Sequence, residues 1–286
     1  MRNALLAAIA ACCTILFWAM VQAPESMAQS DRLHTLHRSD QPIASAITEF
    51  APRQAVLAGT VAYGMTDDDQ PIQGYLARPA DRVEPSPAII VIHEWWGLNE
   101  NIETMTRRLA GEGYTALAID LYNGAVAEAP NQARALVGTV QNNLEAARAN
   151  IRQAYAYLDE TQQAPKIASL GWCFGGTWSL NTALLFPDEL DAAVIYYGGG
   201  ITTDPEQLAT LEMPIIGFFG AEDTNPTPET VAEFERILKD LNKSVEVHLY
   251  GGAGHAFANP SGTRYVVAAA LDAWEKTLEF LNDQLR

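Results

Sequence analysis

One turn of this chain reads Lys166-Ile167-Ala168-Ser169-Leu170-Gly171-Trp172-Cys173-Phe174-Gly175-Gly176. The apolar run predicts a short strand, which a sharp turn joins to a helix, with Cys173 at the tip. Glycines lie two residues before and two residues after the cysteine. A turn this tight needs small residues there, because bulkier side chains would clash with the strand or the helix. The pattern therefore predicts a nucleophile elbow, and a buried, inert cysteine is the alternative.

The composition is that of a globular protein. The chain has 286 residues, of which 48% are hydrophobic and 19% are charged. This length suffices for one large α/β domain with a substantial core. The formal net charge of −17 argues against nucleic acid as a partner, because a nucleic-acid-binding protein needs a basic face. The same charge argues against an anionic membrane surface as a partner.

The N-terminus has the pattern of a secretory signal peptide over residues 1–28. Arg2 precedes an uncharged apolar run over residues 4–20, and Ser26 and Ala28 are small residues at a cleavage site. We expect cleavage after Ala28, a periplasmic or secreted product, and no membrane attachment after cleavage. An uncleaved membrane anchor and a lipoprotein processed at Cys12 are the alternatives.

Cysteine usage sets the redox and metal expectations. Of three cysteines, Cys12 and Cys13 lie in the signal peptide, so the mature chain keeps only Cys173 and cannot form an internal disulfide. A single thiol in an exported protein indicates a reactive residue. The histidines, which include His34 and His37, do not pair at the spacing of metal ligands. We therefore expect no metal site, and we expect no cofactor.

The order of the predicted elements indicates the fold. Residues 56–63 and 72–78 predict an antiparallel hairpin, and strands alternate with helices from residue 88 onward. One long amphipathic helix is predicted to end near residue 159. The pattern predicts an α/β fold with a mostly parallel central sheet and helices on both faces. It forms a single domain over residues 54–286, preceded by an extension over residues 29–53 of no assigned role.

Three candidate catalytic residues follow predicted strands. In parallel sheets, ligands bind at the carboxyl ends of strands, and Cys173, Asp223 and His255 all lie at such ends. Their order of nucleophile, acid and histidine is that of the α/β-hydrolase triad. His255 would accept the thiol proton, and Asp223 would orient the imidazole. Glu222 is an alternative acid.

Two backbone groups are candidates for an oxyanion hole. They are the N–H of Phe174, directly after the nucleophile, and the N–H of Trp95, in the loop after the strand at residues 88–92. His93 precedes this loop and is interpreted as a structural histidine at the strand end.

Several motifs together resemble the dienelactone hydrolase family, whose members include carboxymethylenebutenolidases. They are His93-Glu94-Trp95-Trp96-Gly97-Leu98-Asn99, the turn at residues 171–176, and Gly254-His255-Ala256-Phe257. The resemblance implies an α/β-hydrolase fold and a cysteine–histidine–aspartate triad. It also implies that Glu94 contacts the thiol and helps to convert it to a thiolate. The implied function is hydrolysis of a small-molecule carboxylic ester or lactone through an acyl-enzyme, and we expect a monomer.

The chain departs from this family at its substrate-binding residues. Members that cleave dienelactone hold the substrate carboxylate with arginines, and this chain has Asn259 at one of these positions. Arg134 is the nearest candidate for the other arginine. The candidate substrate-binding residues are therefore Trp96, Tyr122, Arg134, Phe257 and Asn259. A neutral ester or another lactone is the expected substrate, and a binding scaffold with a vestigial site is the alternative function.

Overall fold

The computed structural model describes residues 31–40, 51–81 and 85–286. The predicted signal peptide of residues 1–28 and its cleavage site lie outside these residues. Within the described ranges, no helix combines the length and the apolar character needed to cross a membrane.

Eight strands form one sheet. In chain order they are β1 Val56–Met65, β2 Pro71–Pro79, β3 Ala88–Ile92, β4 Thr115–Ile119, β5 Ile167–Trp172, β6 Ala192–Tyr196, β7 Ile215–Gly220 and β8 Val245–Tyr250. Their order across the sheet is β1-β2-β4-β3-β5-β6-β7-β8. Strand β2 runs antiparallel to β1 and β4, and all other neighbours are parallel. The predicted sheet and its N-terminal hairpin are confirmed.

Eight α-helices accompany the sheet in the described part of the chain, and a π-helical turn, Tyr157–Thr161, directly follows the fourth of them. They are α1 at residues 31–37, α2 Glu100–Gly111, α3 Pro130–Gln141, α4 Leu144–Ala156, α5 Phe174–Leu185, α6 Pro205–Leu208, α7 Pro228–Asp240 and α8 Val267–Leu285. The crossovers β3-α2-β4 and β5-α5-β6 progress in opposite directions, so right-handed connections place α2 and α5 on opposite faces of the sheet. Helix α8 lies beside α2, where the Arg108 guanidinium stacks 3.9 Å from the Trp274 ring centroid.

The sheet interior follows from apolar runs in the sequence. All residues of β3, β4, β5, β6 and β7 are buried. A strand covered on both faces cannot alternate between polar and apolar residues, which explains these continuous runs. Strands β3, β5, β7 and β8 are parallel and end at one edge of the sheet, so the residues that follow them meet there.

The prediction of one long helix through residue 159 is wrong. The segment forms α3 and α4, which are separated at Asn142 and Asn143. The Asn143 side chain accepts a hydrogen bond from the Ala146 N–H at 3.3 Å and so caps α4. Asparagine side chains compete for backbone hydrogen bonds and favour helix ends. The apolar spacing continued across this break and concealed it.

Candidate active site

Cys173 occupies a strained turn between β5 and α5. Its φ of 58° and ψ of −115° lie outside the regions that residues with a side chain usually adopt. The Cys173 N–H donates to the Tyr196 carbonyl at 3.0 Å, which anchors the turn. A Cβ on Gly171 would lie 2.1 Å from the Gly175 carbonyl oxygen, and a Cβ on Gly175 would lie 2.1 Å from that of Ile92. The turn therefore requires glycine at both positions, as the sequence predicts.

His255 and Asp223 form a buried pair at the same edge of the sheet. His255 Nδ1 lies 2.8 Å from Asp223 Oδ2, and both side chains are fully buried. Asp223 also accepts the Asn225 N–H at 2.8 Å, which fixes its carboxylate. The neighbouring Glu222 is exposed, so the structure selects Asp223 as the carboxylate that contacts this histidine.

The other nitrogen of His255 faces the cysteine. His255 Nε2 is buried and has no hydrogen-bond partner among the described residues. Ligand-type atoms of His255 and Cys173 lie within 4.8 Å of each other. An imidazole held by a carboxylate on one side and adjacent to a thiol on the other can transfer the thiol proton.

The electrostatics of this pair favour ions over neutral groups. Burial raises the pKa of the Cys173 thiol, but the adjacent imidazoles of His255 and His37 outweigh burial and lower this pKa to about 6. Burial lowers the pKa of His255, and the Asp223 and Cys173 charges raise it well above its usual range. Both shifts favour a thiolate beside an imidazolium over a neutral thiol beside a neutral imidazole.

Glu94 is a buried carboxyl group at the end of β3. Burial, and then the Cys173 thiolate, raise its pKa to about 8, while His255 and the amide of Asn259 oppose this rise. Asn259 donates its Nδ2–H to Glu94 Oε2. The Asn259 side-chain oxygen accepts the Ser261 N–H at 2.8 Å and its hydroxyl at 2.6 Å. Asn259, predicted to bind substrate, thus holds Glu94 at the edge of the cavity.

The cavity beside Cys173 is small. Its walls include Trp95, Trp96, Asn259 and Arg264. Its volume of about 20 Å³ has room for about one water molecule. Access for any ester therefore requires movement of a wall.

One wall of the cavity is formed by an N-terminal segment, residues 31–40, which contributes His37 and Asp40 and whose proximity to the site the sequence does not reveal. The His37 ring centroid lies 4.9 Å from those of Trp95 and His255. Leu33 is 2% exposed, and Arg264 donates hydrogen bonds to the Leu36 carbonyl and to Asp40. The four-residue spacing of Leu33 and His37 on one helix face is the only signal in the sequence.

The N-terminal segment also completes a group of three potential metal ligands. The expectation of no metal site rested on the spacing of histidines and cysteines along the sequence. The fold brings one ligand atom from each of His37, Cys173 and His255 within 4.8 Å of the others. Sequence spacing therefore does not exclude a metal site here, because the three ligands come from distant parts of the chain.

The two residues predicted to donate to an oxyanion are Phe174, which directly follows Cys173, and Trp95, which lines the same cavity as Cys173. Phe174 is the first residue of α5, so its N–H belongs to the helix N-terminus. Trp95 directly follows Glu94 and lines the cavity. His93 is a structural residue, as the sequence indicates, because its Nδ1 contacts the Glu94 carbonyl at 2.6 Å and its Nε2 accepts the Leu121 N–H at 3.2 Å.

The other predicted substrate-binding residues have different placements. Trp96 lines the cavity. The Tyr122 ring is buried 5.6 Å from Phe174, centroid to centroid. Phe257 is fully buried against Tyr197, at a centroid distance of 5.4 Å, so it packs beneath the site and does not line the cavity.

Arg134 does not lie where the sequence predicts. It is half-exposed on α3 and forms an ion pair with Asp31 of the N-terminal segment. It is not among the residues that line the cavity at Cys173. The arginine that does line this cavity is Arg264, which the sequence did not single out because it lies nine residues beyond His255.

The strand order, the strained cysteine turn and the carboxylate-bound histidine define an α/β hydrolase. The sequence matches the model of the dienelactone hydrolase family over residues 72–285. The chain belongs to this family of hydrolases.

Relatives and solved structures agree with this assignment. A protein named "Putative carboxymethylenebutenolidase" from Escherichia coli (strain K12) is 32% identical over 253 residues, which are 84% of this chain and 91% of that protein. "Protein usf" from Aquifex pyrophilus is 32% identical over 221 residues, 75% of this chain and 94% of that protein. A crystal structure described as a "Putative Dienelactone Hydrolase", from Klebsiella pneumoniae subsp. pneumoniae MGH 78578, has a TM-score of 0.71 and 26% identity. It covers 80% of this chain and 99% of its own.

Proposed function

We propose that this protein hydrolyses small carboxylic esters or lactones through an acyl-enzyme on Cys173. The observation that carries the proposal is the buried His255, held at 2.8 Å by Asp223 on one side and adjacent to the Cys173 thiol on the other. A thiolate with a lowered pKa is the form that attacks a carbonyl carbon.

The proposed reaction has two halves. The Cys173 thiolate forms a bond to the carbonyl carbon, and the N–H groups of Phe174 and Trp95 stabilise the resulting oxyanion. Collapse of this intermediate breaks the bond to the alcohol oxygen, which takes the proton of the His255 imidazolium. A water molecule then gives a proton to His255 and attacks the thioester, which releases the acid and regenerates the thiolate.

Glu94 has a supporting role in this scheme. Because its pKa is about 8, its carboxyl group is mostly protonated at neutral pH and adds no negative charge beside the thiolate. Asn259 keeps it in place. Residues 31–40 must shift before a substrate enters, since the closed cavity holds about one water molecule.

The charges around the cavity favour neutral substrates. Asp40 is an acidic group on its wall, and Arg264, which also lines the cavity, is paired with this carboxylate at 3.3 Å. A substrate carboxylate would forgo a bidentate arginine contact, a charge-assisted interaction of about 1.5–3 kcal/mol. We expect kcat/KM for a neutral short-chain aryl ester to exceed that for dienelactone by at least ~10-fold.

Steady-state rates on a panel of esters and lactones measure this preference, with the rate of Cys173→Ala subtracted for each substrate as background. Efficient and selective cleavage of dienelactone by the wild type would overturn the preference. Equal rates for wild type and Cys173→Ala on every substrate would overturn the proposed function itself.

The reactivity of Cys173 should depend on pH with a low midpoint. Because the pKa of the thiol is lowered to about 6, the thiolate fraction rises with pH and is nearly complete by pH 8. An unperturbed thiol, with a pKa of about 8.5, would still be mostly protonated at pH 7.5. The rate of alkylation by iodoacetamide should therefore be half-maximal near pH 6.

The alkylation rate is measured in EDTA by mass spectrometry of the peptide that contains Cys173, which separates this thiol from Cys12 and Cys13. His255→Gln is the matched variant, in which the midpoint should move upward because the imidazolium is lost. A wild-type midpoint near pH 8.5 would contradict the thiolate–imidazolium pair.

A further inference from the structure

His37, Cys173 and His255 form a buried three-residue cluster. One ligand atom from each lies within 4.8 Å of the other two. The three residues are 2%, 1% and 1% exposed. His37 comes from the N-terminal segment, whereas Cys173 and His255 come from the edge of the sheet, so the cluster joins two separate parts of the molecule.

Both histidines are oriented in the same way. His37 Nδ1 lies 2.5 Å from Asp40 Oδ2, and His255 Nδ1 lies 2.8 Å from Asp223 Oδ2. The remaining atom of each ring, Nε2, is buried and has no hydrogen-bond partner among the described residues. Histidines that bind metals are commonly oriented by a carboxylate on the nitrogen that does not bind the ion. Hydrolysis requires such an arrangement at His255, whereas at His37 it requires no carboxylate, because His37 only adds to the positive field beside the thiol.

We propose that this cluster is a binding site for a thiophilic divalent cation, represented by Zn²⁺, with His37 Nε2, His255 Nε2 and the Cys173 thiolate as ligands. One sulfur and two imidazole nitrogens form a donor set that zinc prefers. Zn–S and Zn–N bonds of about 2.3 and 2.0 Å place tetrahedral ligand atoms about 3.3–3.6 Å apart, so a contraction of at most about 1.5 Å from the 4.8 Å limit closes the site. The cavity beside Cys173 has room for about one water molecule, which is the fourth ligand.

The bound ion fastens the N-terminal segment over the active site. The segment is already attached through the ion pairs Arg134–Asp31 and Arg264–Asp40 and through buried Leu33. The ion links the segment to the edge of the sheet, because it binds His37 on one side and Cys173 and His255 on the other. It also occupies the thiolate and the imidazole that the proposed reaction uses, so it inhibits hydrolysis. Inhibition rests on the proposed function, whereas binding of the ion does not.

The test measures cation binding by the full chain in a Cys12→Ser/Cys13→Ser background, in which Cys173 is the only thiol. The protein is freed of metal with EDTA and titrated with CoCl₂, and then with ZnCl₂ in competition with a chromophoric chelator. We expect one Co²⁺ to bind per chain and to give a thiolate-to-cobalt charge-transfer band. Zn²⁺ should displace the Co²⁺ and abolish this band. We also expect Zn²⁺ to suppress ester hydrolysis and EDTA to restore it.

Variants of the segment separate this site from ordinary binding to a thiol. His37→Gln removes a ligand and should weaken Zn²⁺ binding by at least ~100-fold, more than the loss of an outer-shell partner usually does. Asp40→Asn removes the carboxylate behind His37 and should weaken binding by about 10- to 100-fold. His34→Gln, three residues away on α1, is the matched control and should leave affinity unchanged. Thermal unfolding in EDTA checks that each variant folds. If His37→Gln does not fold, the affinity of Asp40→Asn for Zn²⁺ tests the site instead.

Three results would overturn the proposal. The first is that the wild type does not bind the cation stoichiometrically, and the second is that Co²⁺ binds without the charge-transfer band. The third is that wild type, His37→Gln and Asp40→Asn bind Zn²⁺ with equal affinity. If the metal-free wild type and its variants hydrolyse no ester but the wild type still binds the cation, the proposed function is overturned and the proposed metal site is supported.

Discussion

Replacing Cys173 with alanine should lower kcat/KM for a neutral aryl ester by about 10⁴-fold or more, to the level of the background reaction. The nucleophile forms the covalent intermediate, and removing a triad member typically abolishes nearly all of the chemical rate. The thiol is buried in a turn held by backbone contacts, so the smaller side chain should leave the fold intact.

Initial rates across an ester panel measure this loss, and the thermal unfolding midpoint shows whether the variant is folded. A Cys173→Ala protein that is folded and retains turnover within about 10-fold of wild type would show that the thiol is not the nucleophile. Substrate affinity, measured with a non-hydrolysable ester analogue, should change little, because the lost interaction acts in the transition state.

Replacing His255 with glutamine should produce a loss of similar size. Glutamine cannot exchange a proton with the thiol, so both the thiolate and the acid for the departing alcohol are lost. Because the two residues act as a unit, the double variant Cys173→Ala/His255→Gln should be no slower than either single variant. If the fold-decrease in kcat/KM of the double variant equalled the product of the two single decreases, Cys173 and His255 would act independently.

Asp223→Asn tests the orientation of His255. The carboxylate selects the tautomer with hydrogen on Nδ1, and replacement of the corresponding acid in the serine-protease triad lowers kcat about 10⁴-fold. Glu222→Gln is the matched control, because Glu222 is adjacent in the chain but exposed, and its rate should stay within about 2-fold of wild type. Equal losses in the two variants would contradict the assignment of Asp223.

Most of the fold could be predicted from the sequence because its signals are local. Buried parallel strands such as Ala88–Ile92 appear as unbroken apolar runs, and the order of elements limits the topology. The glycines around Cys173 are required by backbone contacts as close as 2.1 Å, which explains why their spacing was informative. Asp223 and His255 could be anticipated because parallel strands end at a common edge.

The site features that could not be predicted from the sequence depend on contacts between distant segments of the chain. His37 reaches the active site through packing of residues 31–40 on the domain, and the spacing of Leu33 and His37 on one helix face does not specify which surface that face packs against. For the same reason Arg264, which lines the cavity, was not foreseen, and Arg134 was assigned to substrate binding although it pairs with Asp31. Aromatic character alone did not separate Trp96, which lines the cavity, from Phe257, which packs beneath it.

The most direct test of the proposed function is mass spectrometry of the enzyme after rapid acid quenching during turnover of an aryl ester. We expect an adduct with the mass of one acyl group, located by peptide mapping on Cys173 and missing from Cys173→Ala. The adduct should decay at the rate of turnover after the ester is exhausted. Turnover with the acyl group on a different residue, or with Cys173 unmodified throughout the first turnovers, would contradict the proposed function.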